Sequence, residues 1–145
     1  MSVLKASRTA QWPLVATFSF NWDDTMLNVS GVSHDFKTAA AHVFDVIALP
    51  PGATVLGGDF TVVTTFATVT TYAVTVGDSA STNRYLGTAD YKAAARNALV
   101  PTGYVSLGEQ VRLAITPTGA DATAGRATLC VQYVIANRSN EVQIT

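Results

Sequence analysis

One feature constrains this chain more than any other: apolar and polar side chains alternate with a period of two in run after run. Successive side chains on an extended backbone point to opposite faces, so each such run predicts a strand with one buried face. Leu14 to Phe20 puts Leu14, Ala16, Phe18 and Phe20 on one side and Val15, Thr17 and Ser19 on the other. Val43 to Leu49 sets Phe44, Val46 and Ala48 opposite Asp45, and stops at Pro50-Pro51-Gly52, where proline offers no ladder donor. Asp59 to Ala67 groups Phe60, Val62, Thr64 and Phe66, and Thr71 to Gly77 groups Tyr72, Val74 and Val76. The clearest runs are Gln110 to Thr116 and Ala127 to Ile135, and shorter candidates lie at Met26 to Ser30, Ala53 to Leu56, Tyr104 to Leu107 and Glu141 to Thr145.

Many short strands separated by turn-rich stretches predict an all-β fold, a jelly-roll-like antiparallel β-sandwich. A single short helix is expected, capped by Thr88 and running through Asp90, Tyr91 and Lys92 and the following alanines to Leu99. Gly57-Gly58 reads as a tight turn, and Pro117 to Gly125 and Gly77 to Asn83 read as loop tips. Residues 1–13 lack alternation and are expected to form an N-terminal arm; residues 14–145 form one sandwich domain.

Composition limits what such a sandwich does. The chain is 48% hydrophobic but only 13% charged, with a mean hydropathy of +0.26, against about 25% charged residues in an average domain. So little charge suits a surface partly covered by other protein. Net charge is −1 and the nine Lys and Arg are scattered, which argues against a nucleic-acid footprint. No apolar run is long enough for a membrane helix. Met1-Ser2-Val3-Leu4-Lys5 lacks the core of a secretory signal, so folding in a cytoplasm is expected.

Chemistry is hard to find. His34 and His42 stand eight residues apart with Asp35 beside the first, but a metal site wants three or four convergent ligands, so they read as surface or strand-edge histidines. Asp23-Asp24 follows Trp22, yet neighbours on an extended chain diverge, and a turn is the simpler reading. Cys130 sits mid-strand with no base nearby in sequence, as a packed thiol would. Gly57-Gly58 precedes a strand, where a phosphate loop needs a helix. No catalytic, metal or cofactor site is therefore expected, and the chain reads as a non-enzyme. Trp12, Trp22, Tyr85, Tyr91 and Tyr104 lie in or near predicted loops; they serve either as interface anchors or as caps on the open ends of the sandwich. The interface candidates are Lys5, Arg8, Trp12, Tyr85 and Tyr91, with Trp12 foremost because it lies in the arm.

With these strands in place, the chain resembles the jelly-roll cement (decoration) proteins on the heads of tailed bacteriophages. The likeness rests on size, the Met-initiated start, the strand count, Val76-Gly77-Asp78-Ser79 leading to Arg84-Tyr85-Leu86-Gly87, and Thr123-Ala124-Gly125 opening the last long strand through Tyr133. It implies a structural virion protein on the outer face of the capsid, assembled in the host cytoplasm. Its partners would be the major capsid protein and further copies of itself, a homodimer first and a trimer second. The rival readings are a carbohydrate- or receptor-binding jelly roll of a phage fibre, whose loop aromatics would stack on sugars, and a glycan-cleaving β-sandwich enzyme, which would need paired acids on one sheet face.

Overall fold

Two very long strands organise the molecule. A computed structural model describes residues 3–4 and 10–138. In it Ala53–Gly77 (β5) and Gln110–Ile135 (β8) run for 25 and 26 residues, where strands are ordinarily 3–10 residues long. They pair antiparallel from Ala53↔Ile135 to Gly77↔Arg112. Along the outer edge of β8 lie Leu14–Asn21 (β1), paired with residues 126–133, and His42–Ala48 (β4), paired with residues 110–115. Along the outer edge of β5 lie Leu86–Asp90 (β6) and Ala95–Ala98 (β7). Thr25–Leu27 (β2) and Ser33–Asp35 (β3) form a separate hairpin between β1 and β4.

The sheet is thus four ribbons wide, β1 with β4, then β8, then β5, then β6 with β7, and it folds across its middle into a two-layer sandwich. One layer is β1-β8-β5-β7 and the other β4-β8-β5-β6. Their inner faces share one core, with Phe60, Val62, Leu129 and Val131 from the first layer and Val74, Val76, Leu113 and Ile115 from the second. Phe36 bridges the layers, its ring 4.3 Å from Phe20 on β1 and 4.7 Å from Phe44 on β4. The all-β antiparallel sandwich expected from the alternation is the fold observed.

The fold line is built from broken register. Between Val62 and Thr71 the β5–β8 pairing shifts four times, and such irregularities bend a strand and sharpen its twist. Gly125 sits on the fold line with φ +148°. A Cβ there would lie 2.1 Å from Cδ1 of Phe66, so the absence of a side chain lets the Phe66 ring pack against the backbone.

Several expectations need correction. No helix is present among the described residues: the segment from Thr88 to Leu99 continues as β6 and β7 along the edge of β5. Isolated helices of that length are marginal in water, whereas this edge supplies backbone partners directly, as where the Tyr91 N–H donates to the Tyr72 carbonyl at 2.9 Å. Gly57-Gly58 is not a turn but lies inside β5, beside a register shift between Val55 and Gly57. Gly58 has φ +133°, and a Cβ on it would fall 2.0 Å from the Cys130 carbonyl oxygen, so it marks a close strand approach. Pro117 to Gly125 is not a loop tip; it carries β8 across the fold line. Within β4 a bulge between Asp45 and Ile47 flips the parity, so Phe44 and Ile47 are buried where Val46 and Ala48 were expected to join Phe44. Tyr104 to Leu107 makes a single bridge, Thr54↔Val105, and Glu141 to Thr145 lies outside the described residues.

Candidate protein-interaction surface

Ahead of β1, Gln11 fastens the chain to the far end of β8. The Ile135 N–H donates to Gln11 Oε1 at 2.6 Å, and Gln11 Nε2 donates to the Ile135 carbonyl at 2.7 Å and to the Arg138 carbonyl. Next to this anchor the Trp12 ring is 74% exposed and, with Gln11, Pro13, Leu14 and Arg138, lines a pocket of about 140 Å³. Lys5 and Arg8 lie outside the described residues.

The two tyrosine candidates face inward. Tyr85 is only 3% exposed, because its N–H is tied to the Val76 carbonyl at 2.9 Å and its carbonyl accepts from Val100 at 2.8 Å; burial raises its pKa. Tyr91 is half-buried, its ring edge-on to Phe60 at 6.0 Å and its hydroxyl donating to the Gly87 carbonyl at 2.8 Å. Both rings close the sandwich.

At one end of the sandwich two loops are locked by charge. Asp78 accepts from the Ala80 and Ser81 N–H groups at 2.9 and 2.8 Å and pairs with Arg84 at 2.5 Å. That hydrogen bond holds the guanidinium pKa up. Arg84 lies 3.6 Å above the centre of the Tyr104 ring, and the Tyr104 hydroxyl donates to Glu109 Oε1 at 2.6 Å. The other oxygen of Glu109 accepts from Ser106 Oγ at 3.0 Å and the Leu107 N–H at 2.7 Å. These bonds, that of Tyr104 foremost, depress the Glu109 carboxyl to about 2. A carboxylate so fully engaged braces a loop and is a weak base.

Several other charges are also matched within the fold. Asp45 and Arg112, direct cross-strand partners, meet at 2.7 Å, and Asp59 meets Arg96 at 2.8 Å. Lys92 donates to the Val69 carbonyl at 2.7 Å, and Lys37 lies 5.5 Å from the centre of the Trp22 ring. Asp24 accepts from the Asn21 N–H at 2.7 Å, so Asp23-Asp24 forms a turn. No cluster of three or more potential metal ligands occurs among the described residues.

Apart from Trp12, the large hydrophobic side chains that face outward are aliphatic. The β2–β3 hairpin presents Leu27, Val29 and Val32, and the strip joining β7 to β8 presents Val100, Val105 and Leu107. The hairpin's aliphatics flank Asn28, whose Oδ1 accepts from the Ser30 and Val32 N–H groups and shapes the tip. Between the hairpin and β1 runs an open groove of about 400 Å³ lined by Phe18, Phe20, Met26 and Phe36, with Asp24 at its edge. Sequence reasoning passed over these aliphatics: of the strand expected at Met26 to Ser30 only Met26 and Leu27 lie in β2, the rest forms the hairpin tip, and its exposure depends on pairing with β3 outside the main sheet.

No protein-family model and no curated protein matches the chain. Two phage capsid structures contain chains with the same fold. One, from the cyanophage Pam1 capsid asymmetric unit, is similar over 93% of this chain and 92% of its own, with 20% sequence identity and a TM-score of 0.55. Another, from the acidic stable capsid structure of Helicobacter pylori bacteriophage KHP30, is similar over 94% of this chain and 97% of its own, with 20% identity and a TM-score of 0.60.

Proposed function

We propose that this chain is a non-enzymatic capsid cement protein that binds the outer face of a phage shell and bridges neighbouring major-capsid subunits. The observation that carries this reading is the fold likeness to two phage capsid chains over nearly the full length of each. The surface supports it. Charged groups are largely paired within the fold, and aliphatic side chains on a hairpin and a loop strip face outward, which suits protein contact without a large continuous apolar patch.

A shell loaded from inside needs many repeated clamps. Each contact can stay near the lower limit for a specific interface, roughly 1,000 Å² in total, when one oligomer grips several sites at once. The chain acts as a homodimer, with a trimer as the alternative arrangement, and is added in the host cytoplasm. Trp12 is the principal anchor, and the basic residues Lys5 and Arg8 reach a neighbouring subunit. Deleting residues 1–9 leaves Gln11, its bonds to β8 and Trp12 in place; unaltered shell binding after that deletion would remove the role of Lys5 and Arg8.

Co-sedimentation tests the whole reading. The purified chain should bind expanded, undecorated heads saturably and at a fixed ratio to capsid subunits, and bind unexpanded heads weakly. Absence of binding to both forms would overturn it.

A further inference from the structure

His34 on β3 and His42 at the start of β4 stack face to face, with ring centres 3.8 Å apart and 22° between the planes. The hairpin brings them together: His34 is the cross-strand partner of Met26, while His42 pairs with Ile115 of β8 in the main sheet. One ring therefore belongs to the hairpin and the other to the sandwich. Among the described residues the hairpin has one further backbone bond to the sandwich, the Val29 N–H to the Val43 carbonyl at 3.0 Å, and its Met26 packs against the core.

Two imidazoles can stack this way while at most one carries charge, because two positive charges at that separation repel. His42 Nε2 is buried and has no hydrogen-bond partner among the described residues. A proton placed there would meet neither water nor an acceptor. Burial first, and the neighbouring His34 second, hold the His42 pKa below its ordinary value, with Asp35 pulling the other way. The groups around the pair are few. From β3 come His34 and Asp35, and Lys37 follows; Asp35 Oδ1 already accepts from the Lys37 and Thr38 N–H groups at 3.2 and 2.8 Å. From β4 comes the Phe44 ring, centred 6.3 Å from His42, and from β8 the aliphatic Ile115. From β5 comes Tyr72, whose hydroxyl donates to the Phe36 carbonyl.

We propose that the His34–His42 stack is an acid-sensitive latch that keeps the β2–β3 hairpin closed on the sandwich at neutral pH and frees it when the pair takes up its second proton. A released hairpin would protonate at about the ordinary histidine value, roughly 6.5, whereas the closed form resists the proton. Closure is therefore complete above that value and loses ground as pH falls below it, because the open state binds more protons. The latch sets how the aliphatic tip of Leu27, Val29 and Val32 is presented, and it stands independently of any role on a capsid.

The Val29 N–H is bonded to the Val43 carbonyl only while the hairpin lies against β4, so its hydrogen exchange reports on closure. In the full chain, protection of Val29 from exchange, corrected for the intrinsic pH dependence, should fall several-fold between about pH 7.5 and pH 5. With His42→Phe, which keeps a stacking ring but removes the proton site, protection should stay flat. Protection that ignores pH in the unaltered chain, or that falls equally in both, would overturn the latch. If His42→Phe fails to fold, NMR titration of the two imidazoles in the unaltered chain decides: two separated steps support the latch, and joint titration at the ordinary histidine value contradicts it.

Discussion

Replacing Gly125 with alanine probes the fold line that makes one sheet into a sandwich. Two costs add. A φ of +148° lies where only glycine is comfortable, and forcing another residue there costs about 1–3 kcal/mol. The new Cβ would also stand 2.1 Å from Phe66 Cδ1, so the ring must move, and overpacking of this kind costs about 1–3 kcal/mol. Phe66 has little freedom to yield, since its ring is stacked 3.8 Å from Tyr72 with 4° between planes and also touches Phe20. The total is about 2–6 kcal/mol. At about 2.1 cal/mol/K per residue, a chain of 145 residues has an unfolding entropy of about 0.3 kcal/mol/K, so Tm should fall by about 7–20 °C. Calorimetry measures this, and a second background separates the terms. In Phe66→Leu, where the clash is relieved, Gly125→Ala should cost only the backbone part, about 1–3 kcal/mol. A single-mutant cost under about 1 kcal/mol, or equal costs in both backgrounds, would refute the packing argument.

Three further outcomes are expected. Tyr72→Phe removes the donor at 2.8 Å from the buried Phe36 carbonyl and should lower stability in urea by about 1–3 kcal/mol; an unchanged midpoint would contradict that bond. Glu109→Gln should lower Tm most above pH 4.5, the ordinary glutamate value, with the difference shrinking as pH falls toward about 2, where the native carboxyl takes its proton. The sign follows because a carboxyl depressed in the native state adds stability only while ionised; a difference independent of pH would refute its role. Trp12→Ala should weaken shell binding by about 2 kcal/mol or more, the scale of an interface hot spot; undiminished binding would remove Trp12 from the contact.

The strands were legible because each buries one face, so Phe18 and Phe20, or Leu113 and Ile115, announce themselves by spacing. The continuity of β5 and β8 was not. Strands crossing a fold line lose their alternation there, and Pro117 to Gly125 reads locally like a surface loop although its partners lie along β5. The alanines after Lys92 suit a helix on propensity alone, and only the open edge of β5 decides otherwise. Burial within loops was equally hidden. Tyr85 follows a polar stretch, yet its backbone bonds draw it inside, and nothing local foretells that His34 and His42 meet across a hairpin. The Asp23-Asp24 turn was readable because its cause is local, the Asp24 carboxylate closing on Asn21.

Cryo-electron microscopy of expanded heads reconstituted with the chain shows directly where it sits. A cement protein should add density on the outer surface, repeated over the joins between major-capsid subunits and fitted by the folded sandwich. Added density confined to the shell interior or to tail fibres would contradict that role.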